Sequence, residues 1–175
     1  PAPAIYARFT PAPPAGSHAA VSFVGGAWRA PSLPLRHNPS MPDIVLATLN
    51  ARHLHAALGL RYLLANLGPL QSRAELVEFV IGQRPEELAE ALLARSPRIV
   101  GFGVYIWNVE ETTRLVALLK TLRPELVIVL GGPEVSHEIE RQPICDLADH
   151  VITGWGDVSF AELWGERLAG RVPAK

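Results

Sequence analysis

Residues 126–136 of the chain read Leu-Val-Ile-Val-Leu-Gly-Gly-Pro-Glu-Val-Ser. The apolar half of this stretch is long enough for one fully buried strand, and it ends abruptly at Gly131, Gly132 and Pro133. Because glycine has no Cβ atom, a flat or bulky ligand can lie directly against the backbone at this point. Open α/β sheets bind their ligands beyond the carboxyl ends of parallel strands. The stretch therefore predicts both a parallel sheet and a ligand crevice at its edge.

The composition is that of one folded domain without a strong charge. The chain has 175 residues, of which 49% are hydrophobic, enough for a sizeable core. Its 16 basic and 17 acidic residues nearly balance, so neither nucleic acid nor an anionic membrane surface is favoured as a partner. No apolar run approaches the roughly 20 residues that span a bilayer, and no signal peptide is apparent. We therefore expect a cytoplasmic protein.

The first 40 residues differ in composition from the rest. They contain half of the 16 prolines, few charges and no sustained periodicity. Because proline interrupts helices and central strands, we expect residues 1–40 to be a disordered or loosely packed extension. Met41 is the only methionine, and one interpretation is that translation normally starts there. The alternative is a genuine proline-rich tail in which residues 21–24 pack as an edge strand.

From residue 43 onward, strand-like and helix-like segments alternate. The hydrophobic patterns predict strands at residues 44–49, 75–81, 98–105, 126–130 and 150–153. Helical spacing and end signals predict helices at residues 53–67, 86–95, 109–122, around 137–147 and at 158–169. This order predicts a doubly wound, flavodoxin-like (Rossmann-like) α/β domain with five parallel strands in the order 2-1-3-4-5. No G-x-G-x-x-G follows the first strand and no Walker loop occurs. Binding of a nicotinamide dinucleotide or of a nucleoside triphosphate is therefore disfavoured.

In such a fold, the loops after the first, third, fourth and fifth strands meet at one edge. These loops are rich in aromatic, glycine and hydrogen-bonding residues, a combination that suits a large, flat, partly apolar ligand. Their candidate cofactor-binding residues are Asn50, Arg52, His53, His55, Gly103, Tyr105, Trp107, Asn108, Gly131, Gly132, Pro133, Glu134, Gly154, Trp155, Gly156 and Asp157. The sequence predicts neither a catalytic residue nor a metal ligand.

Several of these residues also have a purely structural interpretation. His53 and His55 either contact a ligand from a loop, or one caps a helix and the other is solvated. Tyr105 and Trp107 either stack on a ligand or fill the junction between a strand and a helix. Cys145, the single cysteine, is most simply a buried apolar residue. It excludes an internal disulfide and a multi-cysteine metal or iron–sulfur site within this chain.

Several short motifs occur together along the chain. They are Asn50-Ala51-Arg52 with His55, Gly59-Leu60-Arg61-Tyr62-Leu63, Val-Gly-Phe-Gly-Val-Tyr-Ile-Trp-Asn at 100–108, Leu-Gly-Gly-Pro-Glu-Val-Ser at 130–136, and Gly154-Trp155-Gly156-Asp157. Together they resemble the N-terminal cobalamin-binding domain of B12-dependent radical SAM proteins. That group includes anaerobic magnesium-protoporphyrin monomethyl ester oxidative cyclases. The resemblance covers about residues 41–170 and adds Gly59 to the candidate site.

By this resemblance, the nucleotide tail of cobalamin would enter the crevice between the loops. Domains that place a histidine on cobalt carry Asp-x-His-x-x-Gly after the first strand, whereas this chain has Asn50-Ala51-Arg52 there. The resemblance therefore implies cobalamin bound without a protein histidine ligand. Two further departures are Gly103, which stands where many such domains carry the serine of Ser-x-Leu, and Trp155, which replaces the first acid of Gly-Glu-Gly-Glu.

The resemblance also implies a longer enzyme. Radical SAM chemistry needs a Cys-x-x-x-Cys-x-x-Cys motif to hold a 4Fe-4S cluster that acts with S-adenosylmethionine, and this chain has only Cys145. We expect the chain to be non-catalytic by itself. Residues 171–175 would begin a linker to a C-terminal radical SAM domain of the methyltransferase or oxidative cyclase type.

Other hypotheses remain open at this stage. A flavodoxin-like domain would bind flavin in the same crevice, although residues 50–55 lack a Ser/Thr-rich phosphate loop. A domain that has lost cobalamin would serve only as an interdomain scaffold. A response-regulator receiver is disfavoured, because Asp43 stands alone and the third strand ends in Tyr105. If a ligand does bind, we expect valine at Gly131 or Gly132 to abolish binding while leaving the fold largely intact.

Overall fold

Strands and helices alternate along the chain in the computed structural model, which describes residues 5–7, 41–52, 56–137, 139–154, 156, 160–161 and 164–165. The strands are β1 (Ile5–Ala7), β2 (Ile44–Asn50), β3 (Ala74–Val80), β4 (Ile99–Gly103), β5 (Val127–Gly131) and β6 (His150–Ile152). The α-helices are α1 (Leu58–Asn66), α2 (Pro85–Leu93), α3 (Val109–Leu122) and α4 (Pro143–Leu147). Short 3-10 helices occupy Gly68–Arg73, Glu134–Ser136 and Ile139–Arg141, and the described residues of 160–165 are helical.

The described strands form one sheet in the order β1-β6-β5-β4-β2-β3, and all neighbouring strands are parallel. Strands β2 to β6 reproduce the predicted five-stranded order 2-1-3-4-5, so the predicted fold class is confirmed. Strand β1 is an addition that the sequence did not predict. It lies within the proline-rich residues 1–40 and pairs at the edge of the sheet, with Ile5 opposite His150. The edge strand considered at 21–24 lies outside the described residues.

Two apolar cores cover the two faces of the sheet. Alternate residues of β2 point to opposite faces, so Val45 packs in the core beneath α2, α3 and α4, whereas Leu46 packs in the core beneath α1. The second core also contains Phe160 and Trp164 from the last described helical residues. Because both faces are covered, β2 and β4 are buried along their whole length. This double cover explains the continuous apolar runs in the sequence.

The helices follow their end signals where those signals are present. Helix α2 begins at Pro85 with two glutamates in its first turn, and α3 occupies the predicted residues 109–122. Helix α1 is shorter than predicted, because residues 56 and 57 are not helical and the helix starts at Leu58. No helix in the described part of the chain is both long and apolar enough to cross a bilayer.

The amino edge of the sheet is held by buried charge. Asp43 is only 2% exposed, and its carboxylate accepts a hydrogen bond from Arg73 Nε at 2.6 Å, with Arg98 at 3.9 Å. The backbone oxygen of Asp43 also accepts from the backbone N–H groups of Arg98 and Ile99. This residue therefore belongs to the framework at the edge opposite the predicted crevice.

We predict that Asp43→Asn lowers the free energy of unfolding by about 2–3 kcal/mol, because two arginines lose a buried charged partner. Urea denaturation followed by circular dichroism measures this change. The control is Glu110→Gln, which removes an exposed ion pair with Arg114 within α3 and is expected to cost less than about 0.5 kcal/mol. Equal effects of the two substitutions would contradict the framework role of Asp43.

Candidate functional site

A cleft of about 220 Å³ lies at the carboxyl edge of the sheet, on the face that α1 covers. Helix α1 lines one side, the ends of β4, β5 and β6 contribute to the lining, and so do the turns after β5 and β6. The lining residues are Gly59, Leu60, Leu63, Gly101, Phe102, Gly103, Tyr105, Val129, Leu130, Gly131, Gly132, Pro133, Ile152, Gly154, Gly156 and Phe160. Apolar side chains and bare backbone thus dominate the described lining.

The cleft arises because two neighbouring strands lose their side chains toward their carboxyl ends. On the face toward α1, β4 presents Ile99 and then Gly101 and Gly103. Beside it, β5 presents Val129 and then ends at Gly131, which pairs with Gly103. The apolar core beneath α1 therefore opens into empty space at this edge.

Eight of the seventeen candidate residues line this cleft, namely Gly59, Gly103, Tyr105, Gly131, Gly132, Pro133, Gly154 and Gly156. Five others are described but do not line it, namely Asn50, Arg52, Trp107, Asn108 and Glu134. The remaining four lie outside the described residues, namely His53, His55, Trp155 and Asp157. The topology thus brings together residues from helix α1 and from the ends of β4, β5 and β6 with the loops that follow them.

The paired glycines serve different purposes. A Cβ atom on Gly131 would meet only Ile152 O, at an ordinary 3.8 Å, so local packing does not require glycine there. Gly132 has φ +112°, and a Cβ atom on it would lie 2.4 Å from Val104 O. The expectation that valine at Gly132 leaves the fold intact is therefore wrong, since the backbone of the neighbouring loop occupies the space.

The contact at Gly132 belongs to a tight junction between two loops. The backbone N–H of Val104 donates to Gly131 O at 2.8 Å, and the N–H of Glu134 donates to Val104 O at 3.4 Å. These bonds bring the chain after β4 against the chain after β5. The approach is possible only because Gly132 has no side chain.

We predict that Gly132→Ala lowers the free energy of unfolding by about 3 kcal/mol, because of the backbone collision and the positive φ. Gly131→Ala should change it by less than about 1 kcal/mol, because the added methyl group meets no close neighbour. Thermal or urea denaturation of the two variants measures the difference. Similar stabilities for both would contradict the structural role of Gly132.

Ser136 joins the two turns that lie beside β5 and β6. Its hydroxyl donates to Gly132 O at 2.8 Å and accepts from the backbone N–H of Gly154 at 3.3 Å. Gly154 has φ +74° and lines the cleft. The sequence gives no sign of this role of Ser136, because a hydroxyl that bridges two loops leaves no spacing signal.

Tyr105 and Trp107 form a stacked pair at the rim, with ring centroids 4.6 Å apart and planes inclined by 6°. Tyr105 lines the cleft, and its hydroxyl oxygen lies 3.6 Å from the Cβ position of Gly59 on α1. Trp107 is 46% exposed and lies outside the lining. Tyr105 therefore borders the cleft, while Trp107 stacks against the face of its ring.

Asn108 is fully buried, and its amide is engaged by the protein. Its Nδ2 atom donates to Thr48 Oγ1, Leu49 O and Gly103 O, and its Oδ1 atom accepts from the N–H of Tyr105. These bonds join the ends of β2 and β4 to the start of α3. The observed contacts of Asn108 are thus structural.

The sequence analysis did not identify the apolar part of the lining, which comprises Leu60, Leu63, Gly101, Phe102, Val129, Leu130, Ile152 and Phe160. Helical and strand periodicity marks most of these residues as core. It does not distinguish a side chain that fills a core from one that borders an opening. Glycine at alternate positions of β4 does not mark the opening by itself, because Gly101 packs against Leu46 and Phe160.

Cys145 is fully buried in α4 and is not among the residues that line the cleft. Burial raises the pKa of its thiol from 9.0 to about 11, and the neighbouring Asp146 carboxylate acts in the same direction. The prediction of a buried, apolar-like cysteine is therefore correct. Among the described residues, no three histidine, cysteine, aspartate or glutamate side chains are grouped to hold a metal ion.

We predict that iodoacetamide leaves Cys145 of the folded chain unmodified up to about pH 10 and reacts rapidly once the chain unfolds. The folded-state pKa is raised, so the stabilising contribution of the thiol is complete below pH 9 and is lost as the pH rises from 9.0 to about 11. Mass spectrometry and urea denaturation across this range measure both effects. Cys145→Ala is the control and should lack this pH-dependent loss; rapid alkylation at pH 8 would contradict the burial.

Most of the chain matches one known domain family. Residues 44–164, which make up most of the chain, match the family described as the B12 binding domain. The chain therefore belongs to the B12-binding domain family.

Two curated relatives extend the comparison. The chain is 30% identical over 88 residues to the cobalamin-dependent radical SAM methyltransferase TokK of Streptomyces tokunonensis, a match that covers 48% of this chain and 12% of that protein. It is 32% identical over 77 residues to the 2-(S-pantetheinyl)-carbapenam-3-carboxylate methyltransferase of Streptantibioticus cattleyicolor, with 42% and 11% covered. The chain thus matches only about a tenth of the length of these relatives.

Solved structures share the fold. A cobalamin-binding protein from Desulfitobacterium hafniense superposes with a TM-score of 0.51 and 25% identity, covering 70% of this chain and 58% of that one. A CheY-like protein, tadZ, from Pseudomonas aeruginosa has the same TM-score of 0.51 and 25% identity, covering 75% and 97%. The fold is therefore common to cobalamin-binding and CheY-like domains, and the site must distinguish them.

Proposed function

We propose that this chain is a cobalamin-binding module of a larger radical SAM enzyme and is not catalytic by itself. Membership of the B12-binding domain family and the likeness to two methyltransferases, one of them a cobalamin-dependent radical SAM enzyme, support this proposal. The cleft at the carboxyl edge of the sheet is the part of the molecule that would receive the cofactor.

The observation that carries the proposal is the bare backbone in the cleft. Gly103 and Gly131 lie side by side on neighbouring strands and line the opening. Neither has a close neighbour that forbids a side chain, because the nearest atoms to an added Cβ are 3.5 and 3.8 Å away. A ligand that lies flat against the backbone accounts for glycine at both positions. The residues present therefore fit such a group.

The size of the cleft suggests which part of cobalamin would enter it. Its volume of about 220 Å³ is below the roughly 300–1,000 Å³ of pockets that enclose a drug-sized molecule. We infer that only a part of the cofactor, the base of its nucleotide tail, enters between α1 and the turns after β5 and β6. Gly103, Gly131 and Tyr105 would contact it, and Gly154 and Gly156 would border it.

We further propose that no protein histidine binds the cobalt. The position that carries histidine in His-ligating domains is occupied by Arg52, which is exposed and lies outside the cleft lining. When bound, cobalamin would supply a methyl carrier or a redox centre to the enzyme. A following radical SAM domain of the same polypeptide would hold the 4Fe-4S cluster and S-adenosylmethionine and generate the radical.

We predict that the 175-residue chain binds hydroxocobalamin and methylcobalamin with a dissociation constant in the micromolar range or below. Gly131→Val should weaken binding at least tenfold, because its side chain would fill the opening. Visible absorbance and calorimetry measure both affinities, and the visible spectrum reports whether the cobalt gains a protein ligand. Flavin mononucleotide serves as the competing ligand and should not bind.

The matched control is Gly165→Val, at a helical glycine whose Cβ position faces open space. It should leave the affinity unchanged. Absence of binding at high micromolar cobalamin would contradict the proposed function and favour a scaffold that has lost its ligand. Unchanged affinity of Gly131→Val would contradict the assignment of the cleft as the site.

A further inference from the structure

We propose that Glu78, a residue of β3 outside the cleft, is the positioning residue that holds the α1 wall of the cleft in place for the ligand. The inference rests on the proposed function, since the ligand it concerns is cobalamin. Glu78 is not among the residues that line the cleft, and its side chain is 22% exposed. It would therefore act through its protein partners and not by contact with the cofactor.

The Glu78 carboxylate binds both ends of the segment that connects β2 to α1. Its Oε1 atom accepts from Asn50 Nδ2 at 3.4 Å and from the backbone N–H of Ala57 at 2.5 Å. Its Oε2 atom pairs with Arg61 Nη2, one turn into the helix. One carboxylate from a neighbouring strand thus connects the end of β2 to the start of α1.

Helix α1 lacks the usual means of fixing its own start. Ala57 occupies the N-cap position, no side chain caps the helix, and no acidic residue lies in its first turn. In a capping box, a glutamate three residues into the helix binds the N-cap N–H, but here that position is Leu60, which is buried in the core. Glu78 makes this bond from β3 instead, and its negative charge favours the amino end of the helix.

The same turn of α1 borders the cleft. Gly59, Leu60 and Leu63 belong to the lining, and the Cβ position of Gly59 lies 3.6 Å from the Tyr105 hydroxyl oxygen. Leu60 is the only buried residue within the helix itself. A shift of the first turn would therefore change the distance between α1 and Tyr105, which sets the width of this side of the opening.

Glu75 on the same strand provides a matched control. It pairs with Arg95 at 2.9 Å. Glu75 lies three residues before Glu78 and therefore on the opposite face of β3. Both glutamates make an ion pair from β3, but the partner of Glu75 lies beyond α2, away from the cleft. Removal of either side chain disturbs the same strand, and only Glu78 is connected to α1.

The test compares cobalamin affinity among variants of the 175-residue chain, together with hydrogen exchange of the Ala57 amide in the ligand-free protein. Glu78→Ala should weaken hydroxocobalamin binding about tenfold, the size expected when a charge-assisted hydrogen bond is lost. Its Ala57 amide should exchange faster. Glu78→Gln keeps an oxygen acceptor for Ala57 and should restore most of the affinity. Glu75→Ala should leave both the cobalamin affinity and the exchange of the Ala57 amide unchanged, whatever its effect on the free energy of unfolding.

Wild-type affinity in Glu78→Ala, or an equal loss in Glu75→Ala, would overturn the inference. If Glu78→Ala does not fold, Glu78→Asp replaces it, because its carboxylate lies one methylene further from Ala57 and Arg61. A loss of affinity together with faster exchange of the Ala57 amide supports the inference, and wild-type values of both readouts would overturn it. Absence of binding by the unaltered chain would overturn the proposed function, and this inference with it.

Discussion

The close approach of two backbones at the carboxyl edge of the sheet is the constraint on which the site depends. The chain leaving β4 and the chain leaving β5 meet where Val104 O faces Gly132, and the gap between them has no room for a Cβ atom. Hydrogen bonds from Val104 and Glu134 hold this junction closed. Tyr105 follows this junction on one chain and Pro133 follows it on the other, and both residues line the cleft.

Polar side chains outside the opening hold the remaining loops. Asn108 joins the ends of β2 and β4, Ser136 joins the turns after β5 and β6, and Glu78 joins β3 to the start of α1. None of the three is among the residues that line the cleft. Each replaces a bond that the loop backbone cannot make for itself at the end of a strand or helix. The site thus has an apolar interior and a hydrogen-bonded outer frame.

This arrangement explains why a shared fold can serve different ligands. CheY-like and cobalamin-binding domains have the same strand order, and the difference lies in what stands at the carboxyl ends of the strands. In this chain the acidic Asp43 lies at the opposite edge, paired with Arg73, and the carboxyl edge carries glycines and aromatic rings. Such an edge suits a flat, partly apolar cofactor better than a phosphorylation site.

The pattern of residues predicted most of the architecture, and for identifiable reasons. Strands buried on both faces are continuous apolar runs, so β2, β4 and β5 were predicted within a few residues of their observed bounds. Helix α3 was predicted at its observed bounds, because it has acids in its first turn and a proline just after its end. Strand β1 was missed, since a three-residue edge strand within a proline-rich segment has neither length nor periodicity.

For the site, the local sequence predicted which loops border the crevice, but it did not predict the structural role of each residue in them. Gly131 and Gly132 are identical neighbours in the sequence, yet one borders the cleft with free space beside it and the other fits against Val104. Asn108, a candidate ligand contact, is engaged by four protein groups, two of which, on Thr48 and Leu49, come from a strand far away in the chain.

The sequence by itself determined the alternation of strands and helices and the parallel order, and it predicted the edge at which a ligand would bind. These features follow from periodicity and from the backbone freedom of glycine, which are local properties. Only the tertiary structure decided which glycine is structural, which amides are engaged and which glutamate holds α1. Those roles depend on distances between residues far apart in the chain, and a linear pattern carries no record of such distances.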